Sequence, residues 1–421
     1  MRILHVSPSY APCIGGAETL LQNVSERLVA RGHHVTVFTV NAATHSDFVS
    51  RVGASLPEEE VINGVLVRRF SPDGGLWERL IVAWQGLRGG YRSTNLLFSA
   101  EGLEMLTSRH PRPLAMIPSI LRSDADIVAS VNWLFPSAYY VHLARRLKRF
   151  RLVGVPLFHT NALWAHSSLY RRMLAPCDAV IVGTSHEKEF VDGLAKKRVE
   201  VAGVGVEPAR FVNRKGATIR ERYGLIQLPI VGFVGRQDES KGVAVLLEAM
   251  SRVWQWNPDT VLILAGPRAH RSRKVADAIE ALSPPNRRRV VLIDDFADQE
   301  GPSIFDACDV FVLPSVEESF GIVYLEAWMC QKPVVGARAG STPCVIDEGV
   351  DGLLARPQDA EELAGQIMDL LSDRDKRDRM GRMGYAKTLA LYTWDVVTDK
   401  WEKLYLDLVQ RGLPRSFPRP G

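Results

Sequence analysis

Two glutamates with seven residues between them, Glu318 and Glu326, are the residues in this chain best placed to do chemistry. Glu318 lies in a loop after the apolar run Val310 to Leu313, which is short and valine-rich and is therefore predicted to be a buried strand. Glu326 lies about two turns further on, in the predicted helix Val323 to Met329. Because open parallel sheets bind ligands beyond the carboxyl ends of their strands, both acids are expected to face a ligand.

The start of that helix is predicted to bind a phosphate. The N–H groups of Phe320, Gly321 and Ile322 are expected to point at the crevice without a partner in the helix, and a helix N-terminus favours an anion. Ile322 and Glu326 are four residues apart and share one helix face. A phosphate at the N-terminus would leave a hydroxyl-bearing ring near Glu326, which suits a sugar nucleotide.

Two cations, Arg236 and Lys241, lie in the loop Gly235 to Gly242, directly after the predicted strand Ile230 to Val234. Aimed at the same crevice, they would neutralise a diphosphate. They would also stabilise the negative charge that grows on this leaving group as its bond to the sugar breaks. A solvated turn would be the simpler interpretation of the loop alone, but beside the paired acids the diphosphate interpretation is favoured.

A glycine pair, Gly15 and Gly16, follows the first predicted strand and precedes the first predicted helix. Glycines there let the backbone approach a phosphate closely, because no Cβ intervenes. A plain tight turn would explain the pair equally well. The loop lacks the G-x-G-x-x-G of dinucleotide-binding proteins and the lysine of the P-loop, which argues against a dehydrogenase or an ATPase.

The segment Glu318-Ser-Phe-Gly-Ile-Val-Tyr-Leu-Glu326-Ala, followed by Lys332-Pro-Val-Val and Gly349-x-x-Gly352, resembles the signature of retaining glycosyltransferases of family 4 type, also called group 1. The resemblance implies an α/β fold with two facing Rossmann-like domains and a cleft between them, the GT-B architecture. It implies transfer of a sugar from a UDP- or GDP-linked donor to a glycan, lipid or small-molecule acceptor, with retention of configuration. Gly235-Arg236-x4-Lys241-Gly242 is similar to the donor-diphosphate loop of that family.

The resemblance also implies roles for single residues. Glu318 would bind the donor sugar and stabilise positive charge at its anomeric carbon, and Glu326 would bind the ribose hydroxyls. His159, after the run Leu152 to Phe158, is similar to a histidine that lies near donor sugar and acceptor in that family, although a histidine at a strand end is more often structural. The Gly15-Gly16 loop would lie near the donor diphosphate.

No metal or other cofactor is expected. Asp124-Ala-Asp126 matches a metal-binding D-x-D pattern, but it precedes the predicted strand Ile127 to Ala129 and is interpreted as a turn. The five cysteines form no Cys-x-x-Cys pair, so free buried thiols are expected instead of zinc. The chain departs from the family pattern at Gly203-Val-Gly205-Val-Glu207 and at Gly340-Ser-Thr-Pro343-Cys344, which puts base or sugar identity in question more than activity.

The composition is that of a soluble globular protein, with 46% hydrophobic and 24% charged residues. The first residues read as a strand and not as a signal peptide, and no apolar run is long enough to span a membrane, so a cytoplasmic location is expected. The basic run Arg145 to Arg151 is compatible with peripheral contact at the anionic inner face of a membrane, but a solvated helix face is the favoured interpretation. Nucleic-acid motifs are not found.

Alternating strands and helices predict two doubly wound units. The predicted boundaries give an N-terminal acceptor-side domain over 1–205, a donor domain over 206–393, and a C-terminal helix over 394–421 that crosses back to the first domain and ends in a frayed tail. Two other functions stay open: a sugar-nucleotide epimerase or phosphorylase of the same architecture, and a sugar-nucleotide-binding protein without activity.

Overall fold

The computed structural model describes residues 1–13, 15–44, 47–48, 56–72, 111–158, 168–268 and 271–411. The chain divides into two compact units. Unit 1 comprises Met1–Ala202 and Val397–Gly421, and unit 2 comprises Gly203–Val396. The chain leaves unit 1 after Ala202 and returns to it after Val396. Each of these boundaries lies three residues from the boundary predicted from the sequence. The predicted frayed tail falls largely in 412–421, outside the described residues.

In unit 1 the described strands form one eight-stranded sheet in the order β3-β4-β2-β1-β5-β6-β7-β8. Only β3 runs antiparallel to its neighbour among these strands. The strands are β1 Arg2–Val6, β2 His34–Val40, β3 Glu59–Ile62, β4 Val65–Phe70, β5 Ile127–Val131, β6 Arg151–Val155, β7 Ala179–Val182 and β8 Val199–Val201. The helices between them are α1 Gly16–Ala30, α2 Met116–Arg122, α3 Pro136–Leu147, α4 Ser168–Leu174 and α5 Ser185–Leu194.

Unit 2 has a six-stranded sheet in the order β11-β10-β9-β12-β13-β14, parallel throughout its described pairs. Its strands are β9 Ile230–Val234, β10 Val261–Gly266, β11 Val290–Asp294, β12 Val310–Leu313, β13 Val334–Ala337 and β14 Gly352–Ala355. Its helices are α6 Gly216–Arg222, α7 Val243–Trp256, α8 Arg273–Glu280, α9 Pro284–Arg287, α10 Gly301–Ala307, α11 Ile322–Met329, α12 Thr342–Val345, α13 Ala360–Ser372 and α14 Arg374–Leu391. The last helix, α15 Trp394–Gln410, spans the second change of unit.

The central strands of unit 2 are buried on both faces. Every residue of β9 and β12 is buried, as expected for parallel strands covered by helices on each side. Packing against β9 is close enough that a Cβ on Gly232 would lie 2.0 Å from the sulfur of Cys308. The strand order places β9 beside β12, so the chain reverses its direction of winding between these two strands. Such a switch point is where open α/β sheets bind ligands.

The last helix is fixed to unit 1 by buried and charged contacts. His5 on β1 shares hydrogen bonds with the Ser25 hydroxyl at 2.8 Å and the Tyr405 hydroxyl at 3.1 Å. The guanidinium of Arg151 donates to the carbonyl oxygens of Leu408 at 2.8 Å and Val409 at 3.0 Å. These bonds satisfy carbonyl groups at the C-terminal end of α15, which have no partners within the helix.

The favoured interpretation of the basic run as a solvated helix face is wrong for three of its residues. Arg145 is buried and lies 3.9 Å from Asp178, Lys148 donates to the carbonyl of Leu121 at 3.0 Å, and Arg151 holds α15. Arg146 and Arg149 are exposed, as predicted. Burial, an ion pair and tertiary hydrogen bonds therefore place these three cations where periodicity alone predicts a solvated face.

Three element predictions also change. The strand predicted over Leu152 to Phe158 ends at Val155, because Pro156 has no N–H for the ladder and Leu157 adopts a positive φ of 54°. Strands β8 and β14 are not predicted from the sequence.

Of the cysteines, Cys344 is exposed and the other four are buried thiols. Within the described residues no helix has both the length and the apolarity that a membrane crossing requires.

Candidate active site

The loops that follow β9 and β12 are bonded directly to each other. The carbonyl oxygen of Ser240 accepts hydrogen bonds from the Ser315 hydroxyl at 3.0 Å and from the N–H of Val316 at 3.2 Å. Gly242 has a φ of 75°, and a Cβ there would lie 2.3 Å from the carbonyl oxygen of Pro314. Only glycine fits this position, because both the backbone angle and the close approach exclude a side chain.

This junction brings two predicted site residues together. The Nζ of Lys241 lies 2.7 Å from Oε2 of Glu318, and the two side chains are only 18% and 11% exposed. The loop after β13 holds the backbone of Glu318, because the N–H of Ser341 donates to the main-chain carbonyl oxygen of Glu318 at 3.2 Å. A charged pair with little solvent is therefore held at the carboxyl edge of the sheet, at its switch point.

Arg236 belongs to the same loop but faces solvent. Its side chain is 56% exposed, and its guanidinium lies 3.3 Å from Oδ2 of Asp238. Burial raises the pKa of Asp238, but the hydrogen bond from Ser240 and the charge of Arg236 together bring it below its ordinary value. Asp238 therefore caps the short turn Glu239–Lys241 as an anion. The structure thus places Lys241 on Glu318 and Arg236 on Asp238.

The helix after Glu318 is preceded by a glycine in the left-handed conformation. Gly321 precedes α11 with a φ of 86°, and a Cβ there would lie 2.5 Å from the ring of Tyr324. The Tyr324 ring is fixed because its hydroxyl donates to the carbonyl oxygen of Leu313 at 2.8 Å. Phe320 is buried, with its ring 5.4 Å from that of Tyr392. Ile322 is the first helical residue, so its N–H has no partner within the helix and favours an anion.

Glu326 lies one turn further along α11, between the buried residues Leu325 and Ala327. Burial raises its pKa to about 7, while the charge of Arg210 opposes this rise and that of Asp298 adds to it. Nη1 of Arg210 lies 3.9 Å from Oε1 of Glu326. Sequence reasoning missed Arg210, since nothing in its local pattern points to an acid so far along the chain.

A second polar cluster joins the ends of three strands on the β11 side. The Nε of Arg271 donates to Oε1 of Gln237 at 2.5 Å, and the same guanidinium binds Asp294. Gln237 is fully buried. The cluster ties the loops after β9 and β10 to the last residue of β11, which stiffens this edge of the sheet.

Other predicted site residues belong to unit 1 or fall outside the described residues. Gly15 lies in extended backbone just before α1, of which Gly16 is the first residue. A Cβ on Gly15 would lie 2.3 Å from Oε2 of Glu18, so the carboxylate of Glu18 occupies the space beside it. His159 lies outside the described residues.

Both acids of the Asp124-Ala-Asp126 motif, which is predicted to be a turn, are bound by Arg2. The backbone N–H of Arg2 donates to Oδ2 of Asp126 at 2.8 Å, and its guanidinium pairs with Asp124. Across the described ranges, no group of three or more His, Cys, Asp and Glu side chains is arranged to hold a metal ion.

The chain is similar in sequence and in fold to known proteins. The sequence profile of the family Glycosyl transferases group 1 matches residues 217–387. D-inositol 3-phosphate glycosyltransferase from Stackebrandtia nassauensis is 28% identical over 99% of this chain and 93% of that protein. Sucrose-phosphate synthase from Thermosynechococcus elongatus is similar in structure, with a TM-score of 0.74 at 21% identity over 98% of this chain and 100% of that one. Anabaena HepE, solved with UDP and glucose, has a TM-score of 0.70 at 19% identity over 97% of this chain and 100% of that one. The predicted fold class, α/β with two Rossmann-like units, is confirmed.

Proposed function

We propose that this chain is a glycosyltransferase of the group 1 family, and we propose its donor, its acceptor class and the roles of its residues. The donor is a UDP- or GDP-linked sugar, and the acceptor is a hydroxyl group of a glycan, a lipid or a small molecule. The UDP and glucose in HepE support UDP-glucose as the first donor to test, and the name of the Stackebrandtia relative supports D-inositol 3-phosphate as the first acceptor. The sugar is transferred with retention of its configuration.

The observation that carries the proposal is the pair of Lys241 and Glu318 beside the start of α11. Lys241 supplies a cation whose side chain is largely shielded from solvent, and the first turn of α11 supplies backbone N–H groups. Both favour the diphosphate of a donor, and both favour it more as its charge grows. Glu326, one turn along the same helix, accepts hydrogen bonds from the ribose hydroxyls.

In the proposed reaction the bond between the anomeric carbon and the diphosphate oxygen breaks, and its electron pair leaves with the diphosphate. The acceptor oxygen bonds to the anomeric carbon on the same face, and the acceptor proton passes to the departing diphosphate. Lys241 stabilises the leaving group. Glu318 offers its other oxygen, Oε1, to a sugar hydroxyl and stabilises positive charge at the anomeric carbon.

The remaining roles follow the sequence predictions. Arg236 adds a second cation to the diphosphate once the donor replaces solvent around it. The roles of Gly15 and Gly16 near the diphosphate, and of His159 near the donor sugar or acceptor, stay predictions from the sequence. With cations available for the diphosphate, no divalent metal is required. Peripheral contact with an anionic membrane remains a prediction based on the exposed Arg146 and Arg149.

A donor–acceptor screen tests the proposal. The protein is incubated with UDP-glucose, UDP-GlcNAc or GDP-mannose, each with and without D-inositol 3-phosphate, and released nucleoside diphosphate is measured with and without EDTA. We expect release that depends on the acceptor and is unchanged by EDTA, and NMR of the product should show retained anomeric configuration.

Two outcomes would contradict parts of the proposal. Tight binding of UDP without turnover in any combination, extended to glycan and lipid acceptors, would contradict the transferase roles of Lys241 and Glu318. Loss of turnover in EDTA would overturn metal independence alone.

A further inference from the structure

Glu326 is a carboxyl group with competing charges around it. Its side chain is 19% exposed and lies on α11 among apolar neighbours. Burial raises its pKa to about 7, Arg210 opposes the rise and Asp298 reinforces it. A carboxylate accepts hydrogen bonds from both oxygens, whereas the protonated form must donate through one of them. The charge state of Glu326 therefore decides how well it can bind a pair of hydroxyls near neutral pH.

Arg210 lies between two acids that come from different elements. Its Nη1 is 3.9 Å from Oε1 of Glu326, while its Nη2 donates to Oδ1 of Asp298 at 2.7 Å and to the Asp298 carbonyl at 3.3 Å. Asp298 opens the short turn Asp298–Glu300, before α10. The closer bonds to Asp298, whose side chain is 82% exposed, hold Nη2, and Nη1 is the guanidinium atom beside Glu326.

The segment that carries Arg210 is itself held in place. Glu207 caps the short helical turn Pro208–Phe211 by accepting from the N–H of Ala209 at 3.4 Å. Phe211 is buried, and its carbonyl accepts from Arg214 at 2.8 Å. Arg214 in turn pairs with Asp306 on α10 at 3.2 Å.

The segment that departs from the family pattern just before Arg210 also helps to hold Arg210 in place. In Gly203-Val-Gly205-Val-Glu207, a Cβ on Gly205 would lie 2.5 Å from the ring of Trp394. The N–H of Val206 donates to the carbonyl of Tyr392 at 2.8 Å. The loop is therefore fixed on one side by the start of α15, and Glu207 at its end caps the turn that presents Arg210.

We propose that Arg210 is a positioning residue, held by Asp298, that favours the carboxylate form of Glu326 and orients it to accept hydrogen bonds from the ribose hydroxyls of the donor. The proposal rests on the donor role of Glu326 given above. Arg210 acts through Glu326 and not on the reacting atoms. Arg210 and Asp298 should therefore affect nucleotide binding in opposite directions and in a manner that depends on pH.

The test measures UDP binding by calorimetry at about pH 6, 7 and 9, with GDP used in addition. In Arg210→Gln, loss of a nearby cation raises the pKa of Glu326 by about one unit. The ionised fraction at pH 7 then falls from about one half to about one tenth, so binding should weaken about fivefold at pH 7 and recover near pH 9. Asp298→Asn keeps a side-chain oxygen and the main-chain carbonyl to accept from Arg210 but removes the negative charge, so the pKa of Glu326 falls and binding at pH 6 should be tighter than in the wild type.

Two further variants separate charge from structure. Arg210→Lys keeps the charge and should restore most of the pH 7 affinity. Arg222→Gln removes an arginine from the exposed pair with Glu300, 2.8 Å apart, and should leave the profile unchanged.

If Arg210→Gln weakens UDP binding equally at all three pH values, or does not change it, the positioning role of Arg210 is overturned while the transferase proposal stays intact. Failure of the wild type to bind either nucleotide would reject both.

Discussion

The ion pair of Lys241 and Glu318 supports a prediction in which stability and catalysis separate. Lys241→Met removes the cation while nearly keeping the length of the side chain. The carboxylate of Glu318, only 11% exposed, would then lack its partner. Removing one member of a buried ion pair costs about 3–5 kcal/mol, and we expect the lower end, about 3 kcal/mol, since the carboxylate keeps some exposure.

For a unit of this size, about 3 kcal/mol corresponds to a fall in Tm of about 6–12 °C. The same substitution removes a fixed cation from the leaving group, and losses of this kind lower kcat by about 10²–10³-fold, or roughly 2.7–4 kcal/mol. In Lys241→Met/Glu318→Gln no charge is left unpaired, so most of the stability should return. Turnover should not return, because the leaving group still lacks its cation and the sugar now also lacks the Glu318 carboxylate.

Differential scanning calorimetry and kcat at saturating donor measure the two effects in all three variants. Arg338→Gln is the matched control, since it breaks an exposed pair with Glu348, also 2.7 Å apart, and should change neither quantity noticeably. Recovery of both Tm and kcat in the double variant would refute the reasoning and make Lys241 a structural residue. Full turnover of Lys241→Met would refute it as well.

Three further predictions concern single positions and one concerns metal. Glu326→Gln should raise the donor KM about tenfold, the cost of one hydrogen bond to a charged group, and should remove the acid limb near pH 7 from kcat/KM. Burial raises the pKa of Glu187 from 4.5 to about 7 in the folded state. Between these pH values the folded state keeps a proton that the unfolded state loses, so the free energy of unfolding falls as the pH rises. The Tm of Glu187→Gln should therefore rise relative to the Tm of the wild type from pH 5 to pH 8. A Tm difference that stays constant over this range would contradict the prediction. Gly321→Ala should lower the unfolding free energy by more than about 1–2 kcal/mol, because its φ of 86° is left-handed and its Cβ would meet Tyr324, whereas Gly365→Ala, with open space around it, should not. Dialysis against EDTA should leave kcat unchanged, and restoration of lost activity by a divalent ion would show a metal requirement.

Local patterns were sufficient for most of the fold. The runs Ile230–Val234 and Val310–Leu313 are the strands predicted, because continuous β-branched and apolar residues suit a strand buried on both faces. Gly352–Ala355 was missed, since Gly-Leu-Leu-Ala has no β-branched residue and only its place beside β13 makes it a strand. The predicted helix from Val323 begins one residue earlier, after the glycine that the tyrosine ring requires.

The candidate site also has one part that the sequence predicts and another part that it does not. Glu318, Phe320, Gly321, Ile322 and Glu326 lie within one strand–loop–helix segment, so their spacing fixed their places relative to one another. Loops from distant parts of the chain could not be placed by spacing. The two cations of the Gly235–Gly242 loop looked equivalent in sequence, yet one pairs with Glu318 and the other faces solvent.

The sequence by itself determined two α/β units, the helix start that favours a phosphate, and the paired acids around it, because each of these follows from residues close together in the chain. Only the tertiary structure decided that Lys241 meets Glu318 and that Arg210 and Asp298 approach Glu326. The physical reason is the strand order: β9 lies beside β12 in the sheet although two strands separate them in sequence, and that neighbourhood brings their loops into hydrogen-bonding distance.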